Sequence, residues 1–354
     1  MEPIRVALIG YGLAGRVFHA PHIAATPGLR LDAIVTSDPQ RQAEARQKYP
    51  GARLIDRPDD LWARASDFDL VVIGAPNGTH VPLALAALGA GLNVVVDKPF
   101  APNAAEGRRV LDAARAAGRQ VVPFHNRRWD GDLLTLQKLI AEGALGRVFR
   151  FDSRFERWRG TPKPRWQAPE AEARANGEGL LLDIGPHLVD QALVLFGPVE
   201  RVYAELGRNY EGVTTEDDFV LMLTHASGVR SHLFSSAMAA VPGPRFTVYG
   251  TRGGYQKFGL DVQEPTLAAG GGPPGSPGWG EEPEEAWGTF GGGAAGAPHK
   301  IRTEPGHYLA FYAGVVAALR DGAPPPVSAE DAIAGLQILD AALVSARQGC
   351  AVAP

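Results

Sequence analysis

Cysteine is almost absent from this sequence. The single one, Cys350, leaves no room for a disulfide framework or a cysteine-based zinc site, and it fits a reducing compartment. A basic excess is also missing. Lys and Arg number 35 against 39 Asp and Glu, for a net charge of -4, which disfavours nucleic acid as a partner. No stretch reads as the roughly 18 apolar residues of a membrane span. The opening residues 1–6 carry charge and run into a strand, without a secretory apolar region. A soluble cytoplasmic protein, off the membrane, is the expectation. What is present suits a globular chain: 354 residues, 45% hydrophobic and 21% charged. At about 150 residues per domain this suggests two domains, large enough to bury a core without staples.

The first third alternates apolar runs with helical patterns. Strand-like runs at 6–9, 31–35, 69–73, 92–96 and 120–124 are separated by helical stretches near 12–25, 39–49, 79–90 and 103–117. Pro39 opens its helix at a first-turn position, where a missing N–H is harmless. Asn103 with Glu106 has capping-box spacing, and Gly118 is a stop signal. Strands separated by helices imply right-handed crossovers and a doubly wound parallel sheet, assigned to residues 1–125.

After residue 125 the pattern changes. A helix at 131–141 is followed by strand-like runs at 147–155, 199–205, 219–224, 229–235 and 246–249. Ala226-Ser227-Gly228 reads as a hairpin loop. Helices are expected at 183–196, 307–320 and 329–346, the last started by Ser328 with Asp331. Residues 126–354 therefore read as an α+β domain with an open, mostly antiparallel sheet. The Gly- and Pro-rich stretch 268–298 reads as a solvated insertion or as a lid or partner-contact loop.

Gly10-Tyr11-Gly12-Leu13-Ala14-Gly15 is a GxGxxG that follows a strand and opens a helix, the context that gives the motif meaning. Gly10 permits the turn, Gly12 lets a pyrophosphate approach the backbone, and Gly15 lets the helix pack on the strand. The helix N-terminus offers N–H groups to phosphates. The acid that would grip a ribose 2′-hydroxyl is missing at the end of the second strand, where Thr36 and Ser37 stand. Their hydroxyls suit a 2′-phosphate, with Arg41 as its cation. NADP is therefore preferred over NAD, although Asp38 is either that acid one turn late or a helix N-cap. Ala75, Pro76, Asn77 and His80 follow the third strand at the carboxyl edge, where a cofactor sits. Asn77-Gly78 with Thr79 reads equally as a turn and N-cap.

Asp97-Lys98-Pro99 closes the fourth strand at the same edge. Lys98 there either stabilises charge on a substrate oxygen or forms a surface pair with Asp97. Asp183 and His187 lie four apart on one helix face. They read as a histidine base with its carboxylate, or as an N-cap with a packed core histidine. His19, His22, Asp183, His187 and Asp190 include metal-ligand types, but no second cluster completes a set, and no metal is expected. His125, Arg127 and Trp129 lie in a polar cluster, 125–130, that suits a polyhydroxylated ligand or a linker of ion pairs. Arg157 and Trp166 repeat this aromatic and basic character.

Together these motifs resemble the Gfo/Idh/MocA oxidoreductases, in order and over essentially the whole chain. The resemblance is closest to the NADP-dependent scyllo-inositol dehydrogenase-like branch, carried by residues 125–130, 136–143 and 185–191. It implies an N-terminal Rossmann domain and a C-terminal domain that binds substrate and makes a homodimer or homotetramer. It implies a small polyol or sugar as substrate, with Lys98 holding the reacting hydroxyl, His187 taking its proton, and Asp183 orienting His187 or binding a neighbouring hydroxyl. Asp97 replaces the family's Glu. Two other readings share the fold: a non-catalytic cofactor-binding regulator, and a reductase of another sugar or aldehyde.

Overall fold

The computed structural model describes residues 2–354 as two compact units, and the chain changes unit five times. The first unit holds the chain through Asn126, then Gln263–Trp279 and His307–Ile333. The second holds Arg127–Val262, Gly280–Gly306 and Ala334–Pro354. The first crossing lies between Asn126 and Arg127, and residues 127–354 are shared between the two units.

Six strands form the first sheet: β1 (Ile4–Ile9), β2 (Leu29–Val35), β3 (Arg53–Ile55), β4 (Leu70–Ile73), β5 (Asn93–Asp97) and β6 (Val121–Phe124). Their order is β3-β2-β1-β4-β5-β6, with every neighbouring pair parallel. Val6, Leu8, Val71, Val72, Ile73, Val94, Val95 and Val96 are wholly buried. Strands covered on both faces need such continuous apolar runs, and each buried Val, Leu or Ile contributes about 1.5–3 kcal/mol. The strand order reverses beside β1, so the ends of β1 and β4 flank a topological switch point. Asn103 accepts from Glu106 N–H to start the helix Ala104–Ala117, which Gly118 ends at φ +61°. Thr79 stands at the N-cap position of the helix His80–Gly89, but its hydroxyl donates to the Pro76 carbonyl, 2.7 Å, and makes no capping bond.

Eight strands form the sheet of the second unit: β7 (Val148–Glu156), β8 (Val199–Gly207), β9 (Asp218–His225), β10 (Arg230–Ser236), β11 (Phe246–Gly250), β12 (Gly254–Lys257), β13 (Gly288–Gly291) and β14 (His299–Ile301). The order is β14-β13-β12-β11-β7-β10-β9-β8, parallel only between β7 and β10. Alternate residues of β9 and β10 are buried, the period-two pattern of a sheet covered on one face. The helix Leu180–Phe196 packs on β7, β9 and β10.

The stretch 268–298 is not a single insertion. Its start joins the first unit, where the Trp279 indole donates to Gln263, 3.1 Å. Its end supplies β13, and β14 follows it, extending the second sheet. One segment, Glu170–Phe196, does have the length and composition to cross a membrane, contrary to the sequence expectation. With 78% of its apolar window buried inside the fold, its hydrophobicity is accounted for by core packing.

His22 gives the first unit a pH-sensitive element. Its Nδ1 donates to the Phe18 carbonyl, 2.7 Å. Burial lowers its pKa to about 4, opposed by the Phe18 carbonyl and assisted by the nearby His19 ring. The unfolded chain, with His22 near 6.5, therefore binds a proton that the fold excludes. This contribution is complete above about pH 6.5 and falls by roughly 3 kcal/mol as the pH drops toward 4. Thermal unfolding between pH 7 and 4 should show a steep loss of stability that His22→Gln flattens. An equal slope in the variant would discard this assignment.

Candidate functional site

The glycine loop begins with a close approach of main chains. Gly10 has φ +95°, and a Cβ there would lie 2.5 Å from the Gly74 carbonyl oxygen. A Cβ on Gly15 would lie 1.9 Å from the Gly10 carbonyl oxygen. Only glycine satisfies both contacts. Gly12 differs, since a Cβ there would meet only Arg41 Nη1, at 3.7 Å. Gly12 therefore borders open space beside a guanidinium, and Leu13 next to it is 62% exposed. This cradle fits the pyrophosphate of a dinucleotide. Tyr11 can offer only its backbone: its side chain is buried against Tyr49, ring centroids 6.4 Å apart, and burial raises its hydroxyl pKa. Ala14 starts a π-helical turn, Ala14–His19, that continues as the α-helix Ala20–Ala25.

At the end of β2, Thr36 is buried and Ser37 is exposed. Asp38 is the N-cap of the helix Pro39–Lys48: its Oδ1 accepts from Gln40 and Arg41 N–H at 2.9 and 3.1 Å. Its other oxygen lies 3.5 Å from Arg41 Nε. The carboxylate is thus engaged in capping, and Ser37 and Arg41 are the polar groups this strand end exposes.

The loops after β4 and β5 are tied together by His80. Its ring nitrogens lie 2.8 Å from the Pro99 carbonyl and 2.9 Å from the Ala75 carbonyl. His80 is 1% exposed, so it acts as a clamp between loops rather than as the cofactor contact that the sequence suggests. Ala75 and Asn77 are half-buried and Pro76 is exposed. Asp97 accepts from the N–H of Lys98, 2.8 Å. Burial acts to raise the Asp97 pKa, but His19, Lys98 and His80 outweigh it and hold the carboxyl below its usual range. His19 lies 3.8 Å from Asp97 and is fixed on its other side by Tyr312, 2.7 Å away. Burial, with Asp97 nearby, keeps the Tyr312 hydroxyl protonated and able to donate. Lys98 is half-buried and His125 buried.

In the second unit, Gly179 at φ +107° precedes the helix Leu180–Phe196. Asp183 lies inside the first turn, so it is not the N-cap. Asp183, His187, Asp190 and Gln191 share one helical face, and none is more than 9% exposed. Asp183, Asp190 and Gln191 each have a partner in this unit. Arg128 grips Asp190 in a fork, with contacts of 2.6 and 2.9 Å. Arg245, itself 2% exposed, donates to Gln191 at 2.6 Å and to Ser153 at 2.7 Å. Gln191 donates to the Arg127 carbonyl, 2.9 Å. Asp183 pairs with Lys163, a residue that sequence reasoning missed. Its only sequence signal is the placement between two prolines.

The aromatic and basic residues divide. Arg127 is buried, 4.9 Å from the Phe155 ring and 3.4 Å from Asp130. Arg157 is exposed, 5.4 Å from the same ring. Trp129 is half-buried. Trp166 is 1% exposed and belongs to the core, not to an open binding surface. Among the described residues, no group of three or more His, Cys, Asp or Glu is placed to hold a metal. The first unit by itself offers a phosphate cradle and a lysine, and the second by itself offers a carboxylate, an imidazole and an ammonium. The groups of the second unit are of the types used for proton transfer and charge stabilisation at an oxygen.

Comparison with known proteins agrees over the whole chain. Residues 4–125 match a model described as an oxidoreductase family with an NAD-binding Rossmann fold, and residues 133–256 match the GFO/IDH/MocA C-terminal domain. The uncharacterized oxidoreductase YdgJ of Escherichia coli K12 is 39% identical over 346 residues, 98% of this chain and 97% of its own. The scyllo-inositol 2-dehydrogenase (NADP(+)) IolW of Bacillus subtilis 168 is 32% identical over 351 residues, 98% of this chain and 95% of its own. A solved oxidoreductase structure from Yersinia pestis superposes with a TM-score of 0.89 at 39% identity, covering 100% of this chain and 97% of that one. With its parallel glycine-loop sheet and its mostly antiparallel second sheet, the chain belongs to the Gfo/Idh/MocA family of NAD-binding oxidoreductases.

Proposed function

We propose that this protein is an NADP-preferring dehydrogenase that oxidises a carbinol of a cyclic polyol or sugar, or reduces the ketone in reverse. The observation that carries this reading is the buried face of the helix Leu180–Phe196, where Asp183 and His187 stand four residues apart. Lys98 donates to the reacting hydroxyl oxygen and favours negative charge on it. His187 takes the hydroxyl proton. Asp183 orients His187 or accepts from a neighbouring hydroxyl. A dinucleotide held at the Gly10–Gly15 loop would supply the hydride acceptor for the carbinol carbon. The relative IolW, named for scyllo-inositol and NADP, supports both the substrate class and the cofactor.

The preference for NADP rests on the end of β2. Asp38 is engaged as an N-cap, and Ser37 and Arg41 present a hydroxyl and a guanidinium instead of an acid. A homodimer or homotetramer belongs to the same reading. Residues on the less buried side of the second sheet include Val220, Met222 and Phe234, with Met222 44% exposed, and light scattering would measure the assembly.

Absorbance of the reduced nicotinamide gives the decisive assay, with NADP and NAD offered against scyllo-inositol, myo-inositol, glucose and xylose. Turnover with a polyol is expected. Lys98→Ala and His187→Ala should each lower kcat by about 10²–10⁴-fold while NADP still binds. Full activity in both variants would sink the mechanism, and bound cofactor with silence on every substrate would favour the regulator. Ser37→Asp places a carboxylate where the 2′-phosphate is expected. Like charges near a surface repel by a few kcal/mol, so the NADP-to-NAD ratio of kcat/KM should fall by about ten- to a hundredfold. An unchanged ratio would count against this assignment.

A further inference from the structure

We propose that Lys163 is a specificity-determining residue, and that its ion pair with Asp183 is a charge-neutral receptor for two neighbouring hydroxyls. This inference rests on the polyol reading above. Three restraints hold the lysine. Pro162 and Pro164 flank it, and a following proline confines Lys163 to extended backbone, as observed at φ -69° and ψ 134°. Its ammonium lies 5.4 Å from the centroid of the buried Trp166 ring. Its Nζ donates to Asp183 Oδ2. Only 20% of the lysine side chain and 12% of the aspartate side chain are exposed.

A free lysine gives up side-chain entropy on being fixed. Removing two charges from water costs more, and a buried pair is seldom a net gain over apolar packing. Stability alone is therefore a poor reason for this pair beside His187. Chemistry is a better one. The ammonium is a donor only, and the carboxylate an acceptor only. A vicinal diol can accept from the first with one oxygen and donate to the second with the other. Because the pair is neutral, it offers no net attraction to a carboxylate- or phosphate-bearing sugar. Neutral polyols are the class it selects.

The test compares wild type, Lys163→Met and Lys163→Arg on scyllo-inositol and on a monodeoxy inositol lacking one neighbouring hydroxyl, with NADP saturating. Lys163→Met should raise KM for the full polyol about tenfold or more with kcat much less affected. Its KM for the correctly chosen deoxy analogue should barely move, because the lost partner is already absent. Lys163→Arg should recover part of the affinity. NADP binding by fluorescence should remain near wild type in both variants. Lys163→Met should lower the unfolding temperature, because Asp183 loses its buried partner, whereas Lys163→Arg keeps the charge, and Lys163→Gln serves as a second variant if the methionine protein is unstable. An unchanged KM overturns the proposal, and so does an equal penalty on the polyol and all of its monodeoxy analogues. Wild-type protein that neither turns over nor binds any polyol overturns the functional reading itself, and this site with it.

Discussion

Main chain touches main chain where β1 ends, and much of the first unit depends on that contact. Gly15 rests on the Gly10 carbonyl, and Gly10 rests on Gly74. A methyl at either contact would have to occupy space already filled by backbone atoms, so the whole helix would have to move. The same descent of the chain brings His19 under Gly74, where a Cβ would come within 2.9 Å of the His19 ring. From there His19 faces Asp97, the residue before Lys98. The position of Lys98 is therefore inherited from glycines nearly ninety residues earlier, through a buried histidine. His80 adds a second tie by fixing the loop that follows Lys98 to the loop after β4.

This dependence explains what could be read from the sequence. Fully buried parallel strands need continuous apolar runs, so β1, β2, β4, β5 and β6 were legible. Close backbone approach needs glycine at fixed spacing, so the cofactor loop was legible too. The Asn103 cap and the Gly118 stop followed from local chemistry. The strands that escaped have weaker signals. β3 has three residues, two of them outside the core. β12, β13 and β14 are short and are embedded among glycines and charges. The helix containing Asp183 starts earlier than its polar residues suggest, because Leu180, Leu181 and Leu182 carry no capping signal and Gly179 turns the chain into them.

Side-chain partnerships of the second unit were much less legible. Arg128 meets Asp190 across 62 residues, and Arg245 meets Ser153 across 92. Lys163 meets Asp183 across 20, from a loop with neither helical nor strand periodicity. Nothing local requires these pairs, because each is a property of tertiary packing. His80 shows the converse error. A histidine at the carboxyl edge looks like a ligand contact, yet both ring nitrogens face backbone carbonyls.

The two units thus solve placement in different ways. The first uses backbone contact, which tolerates almost no change at a few glycines and is indifferent to substrate. The second uses paired charges on an apolar helix, each holding the next without altering the main chain. The carboxylates of these pairs lie on the helix Leu180–Phe196, which packs on β7, β9 and β10 through its apolar residues. A buried charge left without its partner is costly, by about 3–5 kcal/mol, so any exchange of such a pair must preserve charge balance. That constraint makes Lys163 with Asp183 informative. In the reading proposed above, a site for an anion would leave a cation for the ligand to neutralise, whereas Lys163 already faces Asp183.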